Sequence, residues 1–393
     1  MKILICHNYY RSSAPSGEDA VAENEINLLK EQGHEVLTFT RFNDDLDDSS
    51  LLKKISIAKN TIWSSPTYTE LTKYLTEHKP DIVHFHSIFP QISPSAYKAC
   101  YDASIPVIHT LHNFRSICPG ALLQRDEKVC ELCLHGSILN SLKYKCYRNS
   151  LLATGALTAT IIYNRWIGSY TKYVTQYIAL TQFSSSRMVM GKIPEKLISI
   201  KPNFLPVSPV PGEGSGNYAV YVGRLSIEKG VKTLFDAWSE IDMKLKVIGD
   251  GPLMEELKFL PAEKLKNIEF CGYLDRQSIL DIIRNASFQL VPSEWYEGFP
   301  MVLLEAFSCG TPVIGSDIGS IGEIVIEGET GMKFKPGDVE SLKQTITQLT
   351  SNKALLKKMR ISSRKAFDDL YSKEISYDIL MSIYNKALGR TYK

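Results

Sequence analysis

Two glutamates, Glu297 and Glu305, stand eight residues apart astride the start of a predicted helix, within VPSEWYEGFPMVLLEAFSCGTPVIGSDIG (291–319). Glu297 falls in a loop and Glu305 in the second helical turn, with the unpaired amides of the first turn between them. Carboxylates accept hydrogen bonds from hydroxyls and a helix start attracts an anion, so the element suits a ligand carrying both hydroxyls and phosphate. Upstream, Arg224 closes the predicted strand YAVYVGRL and Lys229 stands at the entrance of the next helix. Two cations so placed can converge on a diphosphate and stabilise the charge of a departing one. Gly249 and Gly251, in the turn GDGP after KLKVI, bring a small-residue loop to the same end of the sheet.

The first half of the chain offers other groups. DIVHFH (81–86) and IPVIHTLHN (105–113) both read as strands that finish in histidine-bearing loops. His84, His86, His109 and His112 therefore gather at strand ends, where open parallel sheets bind ligands. For the first three, packing or loop hydrogen bonding is the expected role. Cys118, Cys130, Cys133 and Cys146 follow in the pattern C-x11-C-x2-C-x12-C. That spacing allows four thiolates to close on a structural zinc, with no open position for chemistry; the alternative is four reduced cysteines whose outer pair does not converge.

These residues need a frame. Strands at 2–6 and 35–40 flank a predicted helix at about 18–32, with Gly17 at its entrance and a polar loop from His7 to Ser16 before it. A loop covers 43–50, and a helix covers 65–78. The unit around Glu297 is strand, loop, helix, strand, with Phe299 and Pro300 opening the helix and Cys309-Gly310 closing it. Repeated strand-helix alternation gives a doubly wound α/β architecture with parallel sheets. Between 201 and 217 lie four prolines and three glycines, which is linker composition. The expected domains are 1–203, with a cysteine-bearing insertion at about 118–150, then 204–375, then a final helix in 376–393.

At 393 residues and 44% apolar content, the sequence suits two cores. A formal charge of +2 argues against nucleic acid as the main partner. MKILICHNYY reads as a buried strand without a leader pattern, which places the chain in the cytoplasm. From 132 to 194 there is no Asp or Glu but seven Lys and Arg, interleaved with tyrosines and the apolar run LLATGALTATII. That run is too short to span a bilayer and suits an interfacial helix, so contact with the inner membrane surface through 132–194 is expected; a packed helix with a basic rim is the alternative.

Glu297, GFPMVLLEA and the following GTPVIGSDIGSIGEIV, together with GRLSIEKG, resemble the nucleotide-sugar site of family-4 retaining glycosyltransferases of the GT-B fold, with their E-x7-E signature. The resemblance implies two Rossmann-like domains facing across a cleft, with the last helix crossing back to the first domain. It implies transfer of a hexose-type sugar from a UDP- or GDP-sugar to an acceptor hydroxyl, with the anomeric configuration kept. Glu297 would meet sugar hydroxyls and Glu305 the ribose. Arg224, Lys229 and the amides near Gly298, Phe299, Met301 and Val302 would hold the diphosphate, Pro300 having no N–H to give. Gly17 matches the loop glycine near the donor phosphate, and His112 the histidine that meets the transferred sugar. No catalytic metal or other cofactor is implied. Combined with the basic aromatic segment, the acceptor expected is a lipid-linked glycan of a bacterial surface polysaccharide. A nucleotide-dependent oxidoreductase would need G-x-G-x-x-G after its first strand, which ICHNYYRSSAPSG lacks. A non-catalytic partner subunit of the same fold is the other alternative.

Overall fold

The computed structural model describes residues 1–13, 16–46 and 49–389. Ala14 and Pro15 of the loop before Gly17, Asp47 and Asp48 of the acidic loop, and residues 390–393 lie outside them. The chain divides into two compact units: 1–123 with 130–203 and 376–393, and 124–129 with 204–375.

In the first unit, Lys2–Tyr9 (β1), Glu35–Phe42 (β2), Ile82–Phe85 (β3), Val107–Leu111 (β4), Gln176–Ala179 (β7) and Ile198–Ile200 (β8) form one parallel sheet in the order β2-β1-β3-β4-β7-β8. The short strands Gln124–Arg125 (β5) and Lys128–Val129 (β6) pair as an antiparallel hairpin counted with the second unit. Near-continuous apolar runs such as Ile3, Leu4 and Ile5 are fully buried, as a sheet covered on both faces requires. The helix Gly17–Glu31 starts at Ser16, whose side chain and that of Asp19 make a reciprocal capping box. Leu380, Ile383 and Tyr384 of the helix Lys373–Ala387 pack onto Ile3, Ile82, Ile108 and Ile178, so the last helix completes the core of the first unit.

Two local readings change. The first strand runs to Tyr9 instead of Cys6, because His7 and Asn8 are buried and find partners: Nε2 of His7 lies 2.8 Å from Asp19, and the Asn8 amide donates to Asn43. A helix, Leu51–Ile62, follows the acidic loop, capped by Ser50. It packs against Leu151–Trp166, the helix that carries LLATGALTATII.

In the second unit, Tyr218–Val222 (β9), Lys244–Ile248 (β10), Ile268–Gly272 (β11), Phe288–Val291 (β12), Val313–Ser316 (β13) and Gly331–Phe334 (β14) form a parallel sheet in the order β11-β10-β9-β12-β13-β14. Its core holds Leu234, Phe235 and Trp238 from one face of the helix Val231–Trp238, against Phe288, Leu290 and Phe334. Both chains of connections reverse direction once, between β1 and β3 and between β9 and β12. Crevices beyond the carboxyl ends of strands at such switch points are where open α/β sheets bind ligands.

Candidate active site

Arg224 and Lys229 follow β9, while Glu297 follows β12, its neighbour at the switch point; that adjacency joins residues far apart in sequence. Nζ of Lys229 lies 2.6 Å from Oε1 of Glu297, which also accepts from the Ser293 hydroxyl at 2.8 Å. The Lys229 ammonium also sits 5.4 Å from the centre of the Trp295 ring. Glu297 is 8% exposed. Burial alone would raise its pKa, but the adjacent Lys229 charge and the hydrogen bonds outweigh it and hold the carboxyl below its usual range. Arg224 is exposed, its backbone carbonyl fixed by the Tyr221 hydroxyl at 2.8 Å. Among the described residues its guanidinium has no acidic partner.

The helix that starts between the glutamates is Met301–Ser308, with Pro300 at the N-cap position instead of the first helical one, so that no side chain caps its amides. The buried Gln289 of β12 donates to the Val302 carbonyl at 2.9 Å, and the Ser320 hydroxyl to Gly298 at 3.0 Å, which seats the helix start on the sheet. Phe299 is buried against Tyr371. Glu305 is half-buried, and its carboxylate takes no hydrogen bond among the described residues; burial raises its pKa against the opposing charge of Arg276. The element therefore presents one charge-paired carboxylate, one unsatisfied carboxylate, open amides and an exposed guanidinium.

Gly249 and Gly251 answer to a tighter demand. A Cβ on Gly249 would stand 2.1 Å from the Gly223 carbonyl, and on Gly251 2.3 Å from that of Leu225. Leu225 N–H donates to the Asp250 carbonyl at 2.9 Å, so these glycines let the loops after β9 and β10 lace together behind Arg224. Gly17 is different: a Cβ there would meet nothing within 4 Å, so packing does not require glycine at that place.

In the first unit, His112 lies just beyond β4 and lines a cavity of about 60 Å³ together with His86, Asn113, Arg115 and Glu18. Sequence reading passed over Glu18, half-buried with burial raising its pKa while the Asn113 amide donates to it at 2.8 Å. For His84, His86 and His109 the expected role is packing or loop hydrogen bonding. They are buried, and His86 bonds both His112 and Glu25, a glutamate on the inner face of Gly17–Glu31.

The four cysteines belong to the first unit, Cys118 before the 124–129 hairpin and the other three after it, with Cys133 in the short helix Leu132–His135. Cys118 Sγ and Cys146 Cβ would lie 3.8 and 3.9 Å from a Cβ on Gly120. Burial, and then the proximity of Cys118, Cys146 and Cys130, pushes the Cys133 thiol up to about 11. Among the described residues the group whose three ligand atoms all lie within 4.8 Å of one another is Glu25, His84 and His86, and no three of these thiols make such a group.

A family model described as Glycosyltransferase Family 4 matches residues 16–207, and one described as Glycosyl transferases group 1 matches residues 209–366. An uncharacterized glycosyltransferase of Methanocaldococcus jannaschii is 29% identical over 384 residues, covering 96% of this chain and 95% of that protein. Among solved structures, the apo form of the lipopolysaccharide outer core galactosyltransferase WaaB aligns with a TM-score of 0.66 at 19% identity, over 98% of this chain and 99% of that one. Anabaena HepE in complex with UDP gives 0.67 at 16% identity, over 98% and 99% of the two chains. With the two models meeting end to end across both units, and the same two-sheet fold beneath them, the chain belongs to the family-4 glycosyltransferases of the GT-B fold.

Proposed function

We propose that this glycosyltransferase moves a hexose-type sugar from a nucleoside-diphosphate sugar to an acceptor hydroxyl, with retention and without a catalytic metal. The observation that carries this reading is the Lys229–Glu297 pair beside an uncapped helix start. The donor diphosphate takes the amides of Phe299, Met301 and Val302 and the Arg224 and Lys229 side chains. Cations of the chain then neutralise the leaving group, the task a divalent ion performs in other transferases. Glu297, relieved of part of its bond to Lys229, accepts from sugar hydroxyls; Glu305, with no partner of its own, accepts from the ribose. That HepE was solved with UDP supports a uridine donor. His112 meets the transferred sugar. Calorimetry with UDP and GDP, followed by slow hydrolysis of the matching sugar nucleotides, tests the assignment. Nucleotide binding without any turnover would favour a non-catalytic subunit.

The acceptor in this reading is a lipid-linked glycan at the inner face of the cell membrane. Supporting it is a cavity of about 570 Å³ between the helices Leu51–Ile62 and Leu151–Trp166, lined by apolar side chains such as Phe89 and Leu152 and by Arg115 and Arg148. On the same two helices Leu52, Ile55, Leu151 and Trp166 are exposed. No helix among the described residues is long and apolar enough to cross a membrane. Sedimentation with anionic vesicles at low salt tests the surface contact, and failure to bind removes it. A structural zinc on Cys118, Cys130, Cys133 and Cys146 is the remaining part: metal analysis should give about one zinc per chain, the number a closed four-thiolate site holds. Absence of zinc after purification in its presence would leave four reduced thiols.

A further inference from the structure

The buried polar groups of the first unit form a directed chain. Glu25 is 1% exposed; its Oε2 lies 2.9 Å from Nζ of Lys201. Its Oε1 lies 2.9 Å from Nδ1 of His84 and 3.2 Å from Nε2 of His86. Nδ1 of His86 is in turn 2.9 Å from Nε2 of His112, the two rings nearly parallel at 19° and 5.2 Å apart. Burial would raise the Glu25 pKa, but the Lys201 charge and the histidine contacts hold it well below the carboxylate range.

An ionised carboxylate only accepts hydrogen bonds, so Nε2 of His86 carries a proton. His86 is 1% exposed, and burial, reinforced by His84, lowers its pKa to about 4, so at neutral pH it is uncharged. A neutral imidazole has a single N–H, so Nδ1 of His86 is bare and must accept from Nε2–H of His112. That leaves Nδ1 of His112 as its acceptor. The neighbouring groups have partners of their own: the backbone carbonyl of His86 is contacted by Nε2 of His109 at 3.0 Å, Nδ1 of His84 also lies 2.7 Å from the Tyr384 hydroxyl and its other nitrogen meets Thr110 at 2.8 Å, and His7 is held by Asp19.

We propose that Glu25, acting through His86, is a positioning residue that fixes His112 in its Nε2–H tautomer, so that His112 offers Nδ1 as an acceptor to a hydroxyl of the transferred sugar. Contact with the sugar rests on the functional reading above; the tautomer does not. The same hydrogen-bond logic orients histidines that ligate metals, where the partner behind the ring sets which nitrogen is available.

The substitution Glu25→Gln gives a distinctive expectation. Lys201 can only donate, so it keeps the amide oxygen, and the NH₂ group turns toward His84 and His86. Nε2 of His86 must then accept, its Nδ1 becomes protonated, and His112 is left with the proton on Nδ1. Nitrogen-15 spectra of the histidine-labelled full chain at neutral pH, assigned against His112→Asn, read this directly. The wild type should show His112 neutral with Nε2 protonated; a bare Nε2 or a doubly protonated ring would overturn the proposal. In E25Q the proton should move to Nδ1, with kcat for donor turnover down about 10- to 100-fold and KM little changed; a folded E25Q with an unaltered His112 signal would also overturn it. Glu25→Asp keeps the charge and should restore the wild-type tautomer, so it decides the matter together with the wild-type spectrum if E25Q does not fold. Full activity in His112→Asn would remove the sugar contact while leaving the tautomer standing.

Discussion

Replacing Lys229 by methionine keeps most of the side-chain volume and removes the charge, and it should separate the two roles of the Lys229–Glu297 pair. The side chains are 26% and 10% exposed and the contact is 2.6 Å. At an effective dielectric of about 20 the gross attraction is about 6 kcal/mol, most of it offset by desolvation. Removing one partner of such a pair costs roughly 2–5 kcal/mol, because the other charge is left buried and uncompensated. Taking ~3 kcal/mol, melting of a unit this size should fall by about 6–12 °C. In the Glu297→Gln background the carboxylate is already gone, so the same change should cost about 1–2 kcal/mol less. Nucleotide binding should respond differently. K229M loses one charge-assisted bond to phosphate, about 1.5–3 kcal/mol, or roughly 10- to 150-fold in the UDP dissociation constant. E297Q alone should leave UDP affinity unchanged or tighter, since carboxylate and phosphate compete for one ammonium, while slowing sugar transfer by about 100-fold or more. Calorimetry and thermal unfolding of the four proteins form the assay. Wild-type UDP affinity in K229M would refute the assignment of Lys229 to the diphosphate.

Glu305→Gln should weaken the ribonucleotide by about 1–2 kcal/mol but leave the 2′,3′-dideoxy form unaffected, because the lost acceptor serves only the ribose; equal losses for both would count against it. Acid should destabilise the first unit before the second. His86 and His109 have folded-state pKa values near 4 and 3 because burial penalises their charge, so their stability is complete above the unfolded value of about 6.5 and is lost as pH falls toward those values. Glu297, lowered in the folded state, adds stability in the second unit that is fully present above about 4.5 and disappears only below it. Hydrogen exchange at pH 5 should therefore open β3 and β4 ahead of β9 and β12, and the reverse order would contradict the assigned charges.

The strand-loop-helix unit around Glu297 was readable because its signals are local. Pro300, the apolar face of Met301–Ser308 and the Cys309-Gly310 stop fix a helix start between two carboxylates, and β9 and β12 neighbour each other wherever a doubly wound sheet switches direction. The helix Leu51–Ile62 was hidden because its Ser50 cap closes a serine- and aspartate-rich run that resembles a loop. His7 and Asn8 look like loop residues until Asp19 and Asn43 are seen to satisfy them inside a longer strand. Glu25 is the clearest case: one charge among several in an amphipathic helix, it turns inward only because Lys201, 176 positions away, and two histidines wait there. Such pairings are fixed by topology, and no spacing within either segment announces them.

The most direct measurement is calorimetric titration of the wild type and of the double variant Arg224→Met/Lys229→Met with a panel of UDP- and GDP-sugars. One nucleotide class should bind the wild type and lose at least about 100-fold in the double variant, two charge-assisted bonds being removed. No binding by any member of the panel, or equal binding by both proteins, would contradict a diphosphate held between those cations and the start of Met301–Ser308.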